Sequence, residues 1–206
     1  MTEAEWLESN EPDVMFASLL RTGKHVRRLL TNRKRRLFIC ACCRHVPAFM
    51  NAEGSMGAVD VVERFADGLA ERLELQKALS AHAVPTRLKH NDALSQMTPT
   101  NVERVRARME SLSLDGLAER QFQAALMRDI FGNPFRPVTF HPSWLTSTVV
   151  TLAQGIYEDR AFAGMPTLAD ALQDAGCDNE EVLNHCRGEG VHVRGCFVVD
   201  LVLGKK

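Results

Sequence analysis

Between Val14 and Asn51 the chain has no aspartate or glutamate. It also lacks long apolar runs: the longest, Leu37 to Cys43, has seven residues, far short of the ~18 needed to span a membrane. The opening Met1-Thr2-Glu3-Ala4-Glu5 is acidic and followed by Trp6 and Leu7, without the basic and apolar regions of a secretory signal. Together these absences predict a cytoplasmic protein with no membrane partner. Strictly alternating apolar and polar runs are nearly missing, which argues against half-buried strands. The chain has no phosphate-binding glycine loop, dinucleotide fingerprint, His-Glu-x-x-His or Gly-x-Ser-x-Gly elbow, so no familiar catalytic motif announces an enzyme.

What remains is ordinary for a globular protein. Of 206 residues, 45% are hydrophobic and 25% charged, with a net charge of −1. A chain of this length buries roughly 70% of its unfolded surface and needs neither disulfides nor metal merely to fold. In a reducing compartment its six cysteines are expected as free thiols, not as a disulfide framework.

Helical punctuation is frequent. Thr2 and Glu5 form a capping box. Pro12 suits the first turn of a helix carrying Val14, Phe16, Leu19 and Leu20. Thr31 and Asn32 cap a helix over about 33–46 whose unbroken apolar run implies nearly complete burial. Helical spacing continues through Ala58, Val61, Val62, Phe65 and Leu69, then Leu73, Leu75 and Leu79. It returns at Val102, Val105 and Met109, and on a stripe of Leu117, Phe122, Leu126 and Ile130. Pro166 and Gly176 bracket another helix, and Asp178 to Glu181 read as a second capping box. The fold class is therefore all-α: one multi-helix domain over 1–206, with an optional small hairpin near 188–196 and a weak subdivision at 83–100. Cys196–Leu203 reads as helix.

Two features carry candidate chemistry. Cys40 and Cys43 are spaced i, i+3 and share a helical face. Cys177, His185, Cys186, His192 and Cys196 crowd into twenty residues of the tail. Zinc takes four sulfur or nitrogen donors in a tetrahedron, and Cys40, Cys43, Cys186, His192 and Cys196 are the candidate ligands. The competing reading, preferred here, makes the cysteines small core hydrophobes, with no cofactor.

The acid-free stretch is the second feature. It holds nine cations, and Arg27, Arg28, Arg33, Lys34, Arg35 and Arg36 are the candidate residues for binding an anion or a partner. Such charge separation can steer phosphates, although acidic helices around Glu63–Glu74 are available to neutralise it. Aromatic interleaving is poor, which argues against base stacking.

Four blocks also resemble a known group: Met1 to Leu7, Arg36 to Arg44, Arg128 to Phe135, and the tail from Met165, with His185-Cys186-Arg187-Gly188 and His192-Val193-Arg194-Gly195-Cys196 its most specific piece. They resemble a paralogue-rich family of uncharacterised bacterial proteins, some labelled Smi1/Knr4-like. Where that label applies, the resemblance implies an interaction or immunity-type module; it brings no activity, substrate or catalytic residue.

The leading expectation is a noncatalytic interaction module that presents a basic N-terminal face to an unknown protein partner. The alternatives are a zinc-stabilised Cys/His domain with nucleic-acid binding, and a small hydrolase or transferase with a loop-built site around His141, His185 and His192.

Overall fold

A computed structural model describes residues 1–21, 29–46, 55–81 and 98–205. Among the described residues there are eleven α-helices, two single-turn 3-10 helices and no strand. The α-helices are α1 (Glu3–Glu8), α2 (Pro12–Arg21), α3 (Asn32–His45), α4 (Ser55–Ala66), α5 (Arg72–Ala81), α6 (Pro99–Leu112), α7 (Gly116–Phe131), α8 (Ser147–Asp159), α9 (Met165–Asp174), α10 (Glu180–Arg187) and α11 (Phe197–Val202). No helix among the described residues is long and apolar enough to cross a membrane. The all-α expectation holds.

Local sequence sets the helix ends. Thr2 and Glu5 exchange the reciprocal backbone bonds of a capping box at α1. Thr31 accepts from the Lys34 N–H at α3, Thr98 from Asn101 at α6, and Thr146 from Val149 at α8. Asp115 accepts from Leu117 and Ala118 to start α7. At α10 the cap is Asn179, one residue later than the Asp178 box implies. Pro166 sits in the first turn of α9, and Gly176 follows it with φ +87°, where a side chain would be strained.

The chain divides into two compact units, Ser9–Ala124 and Met1–Glu8 with Ala125–Lys206, the boundary falling within α7. The stretch 83–97 lies outside the described residues.

In the Ser9–Ala124 unit, α3 packs against α4 and α6, and α4 against α5. All seven residues from Leu37 to Cys43 are buried, as an apolar run covering the whole helix circumference requires. Leu69, Leu73 and Leu117, assigned to apolar stripes from spacing alone, are exposed.

In the other unit, α8 packs on α9 and α11, and α10 on α9. Val149, Ile156, Leu168, Leu172, Val182, Val198 and Val202 form its core, with Cys177, Cys186 and Cys196 among them. The hairpin near 188–196 is not formed. That segment is a loop closed by a turn, Cys196 N–H to Val193 carbonyl at 2.9 Å, with Gly195 at φ +98°. Its Val193 N–H goes to the Asp129 carboxylate rather than to a partner strand.

Candidate metal centre

Asp129 lies near the C-terminal end of α7. It is 1% exposed, although Asp is almost never fully buried without a partner. Its partners come from the tail. His185 Nε2, in the last turn of α10, is 3.1 Å from Asp129 Oδ1, and His192 Nδ1, in the following loop, is 3.0 Å from the same oxygen. Val193 N–H donates to Oδ2 at 3.0 Å. Cys196 caps α11 and is fully buried; its Sγ is 3.3 Å from His185 Nε2. One donor atom from each of Asp129, His185, His192 and Cys196 lies within 4.8 Å of all the others.

These separations suit a small cation. Tetrahedral zinc with bonds of 2.0–2.3 Å places its donors ~3.2–3.7 Å apart. A carboxylate, a thiolate and two neutral imidazoles also cancel the charge of a divalent ion, so the assembled site buries no net charge. Calcium or magnesium would want six or more oxygens, and only Asp129 supplies any.

The hydrogen bonds alone leave the cluster oversubscribed. His185 Nε2 carries one proton or one lone pair, yet both Oδ1 and Sγ lie within reach. The Nε2 of His192 is buried with no partner, which is uncommon for a buried polar atom. His192 faces Asp129 through Nδ1, so this orphan is the ring's other nitrogen and adds no donor to the cluster.

Electrostatics follow the same geometry. Burial would raise the Asp129 carboxyl, but the hydrogen bonds and charges of His185 and His192 outweigh it and hold the group below its ordinary value. Burial first, and then the charge of Asp129, push the Cys196 thiol well up, against a backbone N–H from Val199 that favours the thiolate. Metal-free, this sulfur is a protonated thiol and a poor nucleophile.

Outer contacts fix the ligands. The His185 ring packs against Phe197, 4.5 Å between centroids, and edge to face against His192 at 4.8 Å. Gly132 lies under Phe197, where a Cβ would come within 3.2 Å of the ring.

Of the five ligands expected from sequence, His192 and Cys196 belong to the cluster. Cys186 does not: it faces the core of α8–α11, and burial with Asp129 nearby raises its thiol to about 12. Cys40 and Cys43 lie in the Ser9–Ala124 unit. Cys40 points its sulfur at the Val59 carbonyl on α4, and burial raises the Cys43 thiol to about 12. A four-ligand set drawn from both Cys clusters is thereby corrected. The face shared by Cys40 and Cys43 is a packing face, and the residues that join His192 and Cys196 in the cluster are His185 and Asp129.

His185 stood in the tail cluster from the start. Asp129 was missed, although its position carries a signal: it falls three residues after Leu126 and beside Ile130 on an apolar stripe. His141, the third histidine of the enzyme alternative, lies elsewhere, bonded to Ser143 at an exposed 3-10 turn.

The basic segment is largely committed inside its own unit. Arg33 Nε donates to Asp67 Oδ1 at 2.9 Å. Arg44 holds Glu63 through two bonds and also reaches Asp60. Lys34 is 7% exposed, Arg35 is half-buried, and Arg36 stands over the Phe65 ring at 4.9 Å. Asp60 and Glu63 of α4 and Asp67 just after it neutralise Arg33 and Arg44, where acidic helices around Glu63–Glu74 were expected to. Arg27 and Arg28 lie outside the described residues.

A second buried carboxylate organises the same unit. Glu119 of α7 is bonded to His45 Nδ1 at 2.7 Å and to Gln123 Nε2 at 2.7 Å. Gln123 accepts from Arg106, which also holds Asp13, Glu103 and Glu110. His45 stacks flat on Phe122, 3.5 Å between centroids. This network is satisfied throughout its length and presents no convergent set of donors.

No family model, no curated protein and no solved structure matches the chain.

Proposed function

We propose that the chain is a metal-stabilised, noncatalytic helical module of the cytosol, holding one divalent ion of the zinc class through Asp129, His185, His192 and Cys196. The observation that carries this reading is the convergence of four donors, from α7, α10, the 188–195 loop and the start of α11, at one point where Asp129 and Cys196 are buried and the two histidines partly buried. Four protein donors fill a tetrahedral shell. Catalytic zinc sites keep one position for water or substrate, whereas closed sites are structural. The ion would tie the loop and α11 to α7 and α10, adding to the core that α10 and α11 share and to the hydrogen bonds on Asp129.

Metal binding of this kind is folding free energy. Chelation of protein purified without added metal should therefore lower the melting temperature, and returning one equivalent of zinc should restore it. A melting temperature indifferent to both treatments would sink the reading.

A further inference from the structure

The last two ligands of the site are separated by three residues, and each of these has a positional task. Val193 gives its N–H to Asp129 Oδ2. Gly195 takes φ +98°, a conformation open to glycine and costly for other residues. Arg194, between them, reaches α8. Its Nε donates to the Tyr157 carbonyl at 3.1 Å and its Nη2 to the Glu158 carbonyl at 2.9 Å. Its guanidinium also stands 5.2 Å from the centre of the Tyr157 ring. Those carbonyls belong to the last turn of α8, where intrahelical partners run out and a cation is favoured by the helix dipole.

We propose, on the basis of the metal reading above, that Arg194 is the positioning residue of the metal site: its fork on the end of α8 fixes the loop so that His192 and Cys196 are presented to the ion together. Besides Arg194, the loop is anchored by His192 and Val193 on Asp129 and by its closing turn, all at the end that carries the ligands. Residues 187–190 are exposed and 191–194 are partly exposed, whereas the flanking Val182, Leu183, Phe197 and Val198 lie in the core. Loop docking by Arg194 and ion capture by the two ligands are thus one coupled equilibrium, in which each raises the other by the same factor. A planar fork matched to two adjacent carbonyls is a task for arginine, which lysine performs only as a point charge.

The test is zinc affinity in the full-length chain, by competition with a chromophoric chelator, for wild type, Arg194→Ala and Arg194→Lys, beside the melting temperature of each metal-free protein. Outer-shell substitutions typically weaken metal affinity by about 10–100-fold. Arg194→Ala is expected at about tenfold or more, with Arg194→Lys between it and wild type. A residue that merely caps α8 would lower the stability of metal-free and zinc-loaded protein equally and leave the affinity unchanged; that result overturns the proposal. Wild-type affinity in Arg194→Lys would also overturn it, because charge and not the fork would then hold the loop. Should Arg194→Ala fail to fold, the lysine variant decides by the same criterion. If wild type itself binds no zinc, the metal reading fails and this inference with it, a result distinct from tight wild-type binding that Arg194→Ala leaves unaltered.

Discussion

The imidazole rings of His185 and His192 stand edge to face, 4.8 Å between centroids, and both direct a nitrogen at Oδ1 of Asp129. The two histidines are held by different elements, one on α10 and one in the loop after it. Asp129 Oδ1 gives them a common target. Removing that target should therefore be felt by both segments.

Asp129→Ala is expected to abolish metal binding and to destabilise the protein by roughly 3–5 kcal/mol, the usual cost of removing one partner from a buried charged pair. Asp129→Asn keeps the shape but not the charge, and should bind zinc more weakly than wild type without losing the fold. Elemental analysis and thermal unfolding of the two variants check both statements. Wild-type metal content in Asp129→Ala would remove the carboxylate from the site.

Gly132→Ala probes the support under His185. Gly132 has φ +66°, and an added Cβ would meet the Phe197 ring at 3.2 Å. Left-handed backbone at a residue other than glycine costs about 1 kcal/mol or more, and the clash adds to it. Because Phe197 packs on the His185 ring, the variant should also bind zinc less tightly. Chemical denaturation and chelator competition measure the two effects separately, and an unchanged denaturation midpoint would contradict the first.

Cys43 supplies an alkaline limb to stability. Burial, then the charge of Glu119, raise its thiol to about 12, with Arg44 opposing. The folded state therefore prefers the protonated form. The resulting stability is complete below the ordinary thiol range and is lost progressively as pH rises from there toward about 12. Melting temperature in Cys43→Ala should start lower, because packing is lost, yet fall less steeply above pH ~9. Parallel slopes in the two proteins would refute the assignment. Native alkylation should likewise spare Cys43 at neutral pH.

His45→Ala leaves one oxygen of the buried Glu119 without its partner. Stranding a buried acceptor costs ~1–3 kcal/mol. His45 is 42% exposed on its side chain, so water reaches the vacated position and the cost should fall at the low end, about 1 kcal/mol. Glu119→Leu, which strands Gln123 and His45 together, should cost more. Urea denaturation of both variants gives the order, and a reversed order would show that Glu119 does not organise the network.

The helices were readable because their signals are local. Thr2 with Glu5, Pro12, Thr31, and Pro166 with Gly176 each act within a few residues. The Asn179 cap was misplaced by one because Asp178 beside it offers the same chemistry. Leu69, Leu73 and Leu117 fit a helical period but end up exposed; spacing identifies a face without showing what covers it. The metal cluster was half readable. His192 and Cys196 lie in a conspicuous tail, but Asp129 is 56 residues before His185 and 63 before His192, and its place on the apolar stripe marks it as buried without showing what it pairs with. Cys40 and Cys43 admitted two readings, because thiols at i, i+3 share a face that could ligate while the unbroken apolar run implied burial; the packing of α3 on α4 bears out the second.

The most direct measurement is the metal content of untagged protein purified without chelator or added metal, taken beside an Asp129→Ala, Cys196→Ala double variant that removes two of the four donors. The account predicts close to one zinc-class ion per chain in the wild type and a substoichiometric trace in the variant. A wild type without metal that also takes up none on addition of zinc, or a variant that retains a full equivalent, would contradict it.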